Sequence, residues 1–399
     1  MMEKIAIDGG NPVRKSRINY GCQWIDRNDI ETVTAVLQSD YLTCGPMTLK
    51  AEEALKEYTG AKYAVLVNSG TSALHCACIA AGIGPGDEVI TTPITFAASA
   101  NCALYCGAKP VFADINPYTY EIDPESIKEC ITEKTKAVVA VDYAGQVVKI
   151  DEIRKICDDY NLTFIEDAAH SIGSKYKGKK VGTLADMTCF SFHPVKTVTA
   201  GEGGAVLTDN EELYRKLLLF HSHGITHDVS MMEEVSNKEP WYYEMIDIGF
   251  NYRITDIQAG LLISQLSKLD IFAARRREIV LKYNDAFRDI PELIIQEEIP
   301  ESDTVRHLYV IQLNLEKMTC TRRQFFDAMG EEGIQCQVHY IPVYWFPYYE
   351  RMGYQKGLCP NAEKIYQRIM SIPLYPKMTD QDVDDVICAV KKIIKNYKE

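Results

Sequence analysis

The sequence predicts an α/β fold: a three-layer sandwich around a mostly parallel central sheet, followed by a smaller α+β C-terminal domain. Three observations carry that prediction. Between about residues 61 and 209, short β-branched runs alternate with amphipathic stretches, the pattern of parallel strands joined by crossover helices. One long helical pattern then interrupts the alternation, and beyond about residue 291 strands and helices follow in a different order. The 399 residues are 46% hydrophobic and 25% charged, enough apolar material for a large unit with an appendage, at roughly 100 to 200 residues per domain.

Each element has its own signal. YAVLVNS (63–69) reads as a strand and 71–82 as a helix, and the turn GPGD (84–87) leads into a second strand, EVITTP (88–93). Helix and strand then repeat: 95–107 helical, PVFADI (110–115) extended, 124–131 helical, AVVAVDY (137–143) extended, 149–160 helical, LTFIED (162–167) extended. Strands at 187–193 and 204–208 follow with a short link and no helix between them, which predicts an antiparallel or mixed edge to the sheet. After a helix at 211–221, residues 226–247 lack periodicity and are rich in Met, Glu and aromatics, as expected of a surface loop or flap. The stretch 255–287 reads as one long helix connecting two domains. Beyond it the sequence predicts strands at 307–313 and 334–340 and helices at 321–332, 361–370 and 379–397. The expected division is a large domain with the N-terminal segment (1–255), a connecting helix (256–290) and a small α+β domain (291–399).

Composition narrows the function. Lys and Arg number 43 against 56 Asp and Glu, a net charge of −13, which argues against wrapping nucleic acid or lying on an anionic membrane. Residues 201–250 alone hold 10 acidic and 3 basic groups, so much of the excess sits around the expected flap. The 13 cysteines are scattered from Cys22 to Cys388 without a CxxC pair, which predicts reduced thiols in a cytoplasmic protein. Cys76, Cys78, Cys102 and Cys106 lie in Ala-rich stretches, where cysteine acts as a small hydrophobe. The N-terminal MMEKIAIDGGNP has no apolar signal core, and no run of 18 apolar residues offers a membrane span. His221, His223 and His227 in HSHGITH match no zinc-site spacing, so no metal is expected. RRR at 275–277 and KGKK at 177–180 read as solvated surface.

Three segments carry chemistry. In SFHPVKTVTAGEGGAV (191–206), a strand ends in a polar turn holding Lys196 before a Gly-rich run re-enters a strand. Ligands of open α/β sheets bind at such strand ends, and a desolvated lysine there is a nucleophile. NSGTSAL (68–74) sets Gly70, Thr71 and Ser72 between a strand and a helix N-terminus, where free amides and hydroxyls suit either a phosphate or a simple N-cap. IEDAAH (165–170) delivers Asp167 to a strand end, with His170 three residues on; the carboxylate suits a cation such as a protonated ring nitrogen, or a cap.

In this order and spacing, the three segments resemble the pyridoxal-phosphate enzymes of the sugar aminotransferase family, a branch of the fold-type I aminotransferases. TTPITFAASAN (91–101), VDYAGQ (141–146), FHSHGI (220–225), GFNYRITDIQAGLLISQL (249–266) and VHYIPVY (338–344) extend the resemblance over almost the whole chain. It implies that Lys196 attaches pyridoxal 5'-phosphate, that Asp167 keeps the pyridine nitrogen protonated, and that Phe96 stacks on the ring with His170 beside it. Thr71, Ser72 and Ser191, with the Gly70 turn, match the phosphate contacts. Asn251 matches a residue reaching the phosphate of a neighbouring subunit, which implies a homodimer with two composite sites. Tyr20, the stretch Asp40, Tyr41, Leu42 and Thr43, and His339, Tyr340, Ile341 and Pro342 fall where the family holds its sugar. The implied reaction moves an amino group, with glutamate the expected donor, to C4 of a nucleotide-linked 4-keto-6-deoxy sugar. The motif combination is most similar to members that aminate the UDP-linked N-acetyl-altrosamine precursor of pseudaminic acid. Members acting on gluco-configured UDP sugars, dTDP sugars or keto-inositols share the cofactor motifs. A sugar 3-dehydratase relative has histidine in place of the lysine, so Lys196 argues against that reaction. The competing class is a cofactor-binding regulatory protein without turnover.

Overall fold

Seven strands form the central sheet of the computed structural model, which describes residues 4–233 and 239–398. They are β1 (Tyr63–Val67), β2 (Glu88–Thr91), β3 (Lys109–Phe112), β4 (Thr135–Val141), β5 (Thr163–Asp167), β6 (Met187–Ser191) and β7 (Gly204–Thr208). Across the sheet they run β1-β7-β6-β5-β4-β2-β3. Neighbours are parallel except at β7, which is antiparallel to both β6 and β1. The short link after β6 permits only a return of direction, so the mixed sheet follows as expected. The reversed strand nevertheless lies one place in from the edge, because β1 covers its far side with Tyr63 opposite Thr208.

Helices cover both faces, which is why β4 and β7 read as near-continuous apolar runs. In chain order the helices are α1 (Arg27–Leu37), α2 (Pro46–Thr59), α3 (Gly70–Ala80), α4 (Ala98–Tyr105), α5 (Pro124–Cys130), α6 (Ile150–Tyr160), α7 (Glu211–Phe220), α8 (Asp256–Leu266), α9 (Leu269–Phe287), α10 (Arg322–Glu331), α11 (Pro347–Arg351), α12 (Pro360–Tyr366) and α13 (Asp380–Tyr397). On one face Leu74, Cys102 and Phe220 of α3, α4 and α7 pack against Val65, Val139 and Ile165. On the other Leu55, Ile153 and Leu262 of α2, α6 and α8 pack against Leu66, Val138 and Phe164. Every cysteine is an unpaired thiol.

The single connecting helix expected over 256–290 is two helices. Buried Asp29 draws in Ser264 Oγ (2.6 Å), Gln265 Nε2 (3.0 Å) and Lys268 Nζ (2.6 Å), which ties the end of α8 to α1. Lys268 itself leaves helical geometry (φ −107°, ψ 0°), and α9 starts afresh beyond it.

A second core forms around a three-stranded antiparallel sheet of β8 (Leu293–Ile295), β9 (Tyr309–Leu313) and β10 (Ile369–Ile372), in that order. Ile279, Phe325 and Val386 bring α9, α10 and α13 to it. Two expectations are corrected here. Residues 334–340 alternate like a strand but make only isolated bridges, Ile334 with Ile18 and Gln337 with Ser371, because β10 takes the place beside β9. The helix expected to reach residue 370 stops at Tyr366, since all four residues of β10 are buried in the sheet. The N-terminal segment also departs from expectation: Ile5 and Ile18 join this second core, not the first. Buried Glu332 anchors it, accepting from Ala6 N and Val13 N (2.8 Å each) and pairing with Lys392 (3.0 Å). In the expected flap, Ile225–Thr226 pairs with Glu244–Met245, and residues 234–238 lie outside the described residues.

Candidate active site

The C-terminal ends of β4, β5 and β6 and the start of α3 enclose a cavity of about 440 Å³. This is where open α/β sheets place their ligands, since the strand-end turns diverge there. Ser69, Gly70, Thr71, Phe96, Asp167, His170, Ser191 and Lys196 line it from the sheet side, and Tyr20, His307, His339 and Tyr340 from other segments.

The α3 turn approaches β6 closely. A Cβ on Gly70 would sit 2.7 Å from Ser191 Cβ and 3.0 Å from its Oγ, so only glycine lets the helix N-terminus face the cavity at that distance. Ser69 caps the helix by accepting from Ser72 N (3.1 Å). Thr71 lies on the wall. Ser72, expected as a phosphate contact, turns its hydroxyl inward to Asn68 Oδ1 (2.5 Å) and Ser69 Oγ (2.8 Å), where it stiffens the turn instead.

Asp167 ends β5 with its carboxyl buried. Its Oδ2 accepts from Ser99 Oγ (2.6 Å), which is itself 2.7 Å from Thr95 Oγ1, and its Oδ1 accepts from Ala169 N (3.2 Å). Burial pushes the Asp167 carboxyl up, while Ser99, the Ala169 amide and the Lys196 amine work to keep it ionised. Burial lowers the Lys196 amine to about 8, against the opposing pull of Asp167. A lysine in that range is a competent proton acceptor near neutrality.

Three imidazoles stand around this pair. His170 Nδ1 accepts from Ala144 N (3.2 Å), which places the proton on Nε2, 3.3 Å from Tyr340 Oη. His307 lies tilted against His170 with ring centres 4.5 Å apart, and its Nδ1 is buried without a hydrogen-bond partner. His339 Nδ1 lies 2.9 Å from Ser371 Oγ, its ring is 5.4 Å from Tyr20, and Tyr143 Oη donates to its carbonyl. Burial drives His170 and His307 well below the ordinary histidine value and His339 to about 4. All three are therefore neutral at pH 7, as expected beside an amine that still carries charge part of the time. Phe96 leaves 62% of its surface open, an unusual exposure for a large ring, and meets Tyr340 edge-on at 6.4 Å.

Other expected site residues lie elsewhere. Asn251 is exposed outside the cavity, its carbonyl accepting from Asn68 Nδ2 (3.3 Å). Asp40, Tyr41, Leu42 and Thr43 form an exposed link between α1 and α2, where Leu42 O accepts from Asp256 N (3.0 Å). Ile341 is exposed and Pro342 is buried beyond the wall, its carbonyl capping Trp345 N (2.8 Å). Sequence reasoning did not single out Ser99, Thr95, Tyr143, Ala144 or His307. Ser99 and Thr95 lie inside a segment already quoted for Phe96, and their i, i+4 spacing on a helix start is the signal that would have exposed them.

The family model described as the DegT/DnrJ/EryC1/StrS aminotransferase family matches residues 23–391. The spore coat polysaccharide biosynthesis protein SpsC of Bacillus subtilis is 41% identical, over 96% of this chain and 98% of its own. The UDP-4-amino-4,6-dideoxy-N-acetyl-beta-L-altrosamine transaminase of Campylobacter jejuni is 39% identical, over 95% and 99% respectively. Among solved structures, Helicobacter pylori PseC, an aminotransferase involved in the biosynthesis of pseudoaminic acid, superposes with a TM-score of 0.88 at 34% identity, covering 96% of this chain and all of the other.

Proposed function

The chain belongs to the DegT/DnrJ/EryC1/StrS aminotransferase family and is a sugar aminotransferase, and from that premise we propose that it uses pyridoxal 5'-phosphate attached at Lys196 to move an amino group from L-glutamate to C4 of a UDP-linked 4-keto-6-deoxy-N-acetyl-altrosamine sugar. The observation that carries the proposal is the pairing of Lys196 and Asp167 in one cavity at the strand ends, each acting on the other's charge.

The residues present fit the cofactor. Asp167, held ionised by Ser99 and Ala169, suits a protonated ring nitrogen. The open face of Phe96 suits a flat ring, and the helix start at Gly70 and Thr71, which a Cβ at position 70 would block, suits a dianionic phosphate. When bound, pyridoxal phosphate supplies an electron sink for the charge left at a carbon that loses its proton.

The chain's own groups do the rest. Lys196 Nζ, neutral from about pH 8, takes the proton from the donor's α-carbon and later delivers one to the sugar's C4. Asp167 holds a proton on the ring nitrogen by charge. The neutral His170, donating from Nε2 toward Tyr340, packs the site on one side and keeps water out without adding a cation that would compete for Asp167. Tyr20, His339 and Tyr340, at the mouth of the cavity, are the expected sugar contacts. We assign Asn251, which is exposed and outside its own cavity, to the site of a second copy in a homodimer.

The assignment of the sugar rests on the Campylobacter and Helicobacter relatives. A second acceptor has its own support: SpsC, at 41% identity, belongs to spore coat polysaccharide synthesis, so another nucleotide-linked 4-keto sugar is the alternative. Single-turnover amino transfer from the glutamate-loaded enzyme to a panel of 4-keto UDP and dTDP sugars decides between them. The altro-configured UDP N-acetyl sugar is expected to react fastest. Faster reaction with a gluco-configured or dTDP sugar would replace the assigned acceptor.

A further inference from the structure

Glu166, next to last in β5, and Asp142, the residue after β4, lie on neighbouring strands of the central sheet and are both fully buried. Their four carboxyl oxygens are unequally supplied with donors. Asp142 Oδ1 accepts from Val148 N (3.0 Å) and Oδ2 from Ser171 Oγ (2.5 Å), and Glu166 Oε2 accepts from Thr188 Oγ1 (2.8 Å). Glu166 Oε1 is buried with no donor. Glu166 stands opposite Ala140 in the register of β4 and β5, so Asp142, two residues further on, falls on the same face of the neighbouring strand. The groups around them do not neutralise two charges: Arg154 on α6 is committed to Asp186 at 2.7 Å, and Asp167 on β5 adds a negative charge. Thr188 and Ser171, the other side chains in contact, do not titrate in the working range.

Two ionised carboxylates in buried contact are untenable, and one proton between them removes the conflict. Glu166 Oε1 lies at that proton, since it is the one oxygen of the four that no other group supplies. We propose that Glu166 and Asp142 form a pair that shares one proton, held between Glu166 Oε1 and the Asp142 carboxyl, and that this pair positions the active-site turns. Neither residue lines the cavity. The pair acts through the chain on either side: Asp142 N donates to Asp167 O (3.1 Å), and Asp142 opens the turn Tyr143–Gly145. That turn needs an anchor, because Ala144 holds a left-handed conformation (φ 59°) and a Cβ on Gly145 would sit 2.2 Å from Val305 O. Ala144 N then fixes His170, whose neighbour Ser171 closes the loop by donating back to Asp142.

Burial raises both carboxyls above the ordinary range. A group protonated in the fold and ionised in the unfolded chain stabilises the fold at low pH, and that stabilisation is lost as pH rises from the ordinary carboxyl value to the raised one. Glu166→Gln replaces the shared proton with an amide N–H that does not titrate. The wild-type Tm measured against Glu166→Gln is therefore expected to fall by a few degrees between about pH 5 and about pH 8. The infrared carbonyl stretch of protonated carboxyls is expected to be stronger in the wild type at about pH 7 than in Glu166→Gln, where buried Glu121, raised to about 8, still contributes. Glu166→Ala is expected to lower kcat with the donor KM little changed, and Glu166→Gln to restore it. Should Glu166→Gln fail to fold, site-assigned carbon-13 NMR of the wild type labelled at glutamate and aspartate carboxyls reads the proton of Glu166 and Asp142 apart from that of buried Glu121. Parallel Tm curves, a carbonyl band of equal strength in the two proteins, or Glu166 and Asp142 carboxyls that are both ionised at about pH 7, would overturn the proposal. These readings need no sugar, so they stand or fall apart from the assigned acceptor.

Discussion

Ser99→Ala tests how Asp167 is kept ionised. Asp167 has two protein donors, Ser99 Oγ at 2.6 Å and Ala169 N at 3.2 Å, and the substitution removes the shorter one. Thr95 cannot replace it, since Thr95 reaches Asp167 only through Ser99. A hydrogen bond to a charged group contributes about 1.5–3 kcal/mol, and buried Oδ2 gains no water in exchange. With that donor gone the carboxyl rises further and less of it remains ionised to pair with a cationic ring nitrogen. At about 1.4 kcal/mol per tenfold, cofactor Kd is expected to weaken roughly 10- to 150-fold. Equilibrium dialysis against pyridoxal phosphate measures it, with the melt of the ligand-free protein as the control for folding. Ser99→Thr, which keeps the hydroxyl, is expected to stay near the wild type. An unchanged Kd in a folded Ser99→Ala protein would refute the role given to this hydroxyl.

Three further outcomes are expected. Gly70→Ala drives a methyl to 2.7 Å from Ser191 Cβ, so the helix start must withdraw from the cavity and cofactor retention should fall by at least tenfold in dialysis; retention at the wild-type level would contradict the close approach. Because burial lowers Lys196 to about 8, its amine in the ligand-free protein should acylate with a midpoint near that pH, well below the surface lysines, as read by peptide mass spectrometry; a midpoint with the surface lysines would refute the shift. The same shift has a stability sign: the unfolded chain holds the proton that the fold releases between about 8 and the ordinary lysine value, so the penalty of burying Lys196 fades as pH rises through that window, and the stability gain of Lys196→Met should shrink with it. Glu332→Ala takes the carboxylate away from the buried Lys392 ammonium and frees the amides of Ala6 and Val13, for an expected loss of about 3–5 kcal/mol in denaturant unfolding; a loss under about 1 kcal/mol would show that the N-terminal segment is held by other contacts.

Much of the fold was legible because its signals are local. The β-branched runs, the turn at Gly70 and the short link between β6 and β7 each announce themselves within a few residues, and so do Lys196 and Asp167 at their strand ends. What was not legible depends on distant approach. Ser99 bonds a carboxylate 68 residues away, Ala144 N and His307 meet at His170 from different segments, and Glu332 captures an amide 326 residues upstream. Periodicity misled at 334–340, whose alternation fits a strand, because the place beside β9 goes to the wholly buried β10. It misled again over 255–287, where no glycine or proline marks the break and the cause is a lysine reaching across to Asp29. Ser72 shows the limit of motif reasoning, since its hydroxyl bonds Asn68 Oδ1 within the turn, a contact the motif does not announce.

The central claim is that Lys196 carries the cofactor opposite Asp167. Borohydride reduction of the cofactor-loaded protein, followed by peptide mapping, locates the attachment to one residue. The account expects the added mass on the peptide containing Lys196, its absence in Lys196→Ala, and loss of the label when glutamate is added before reduction. Label on another lysine, or label on Lys196 that glutamate leaves untouched, would contradict it.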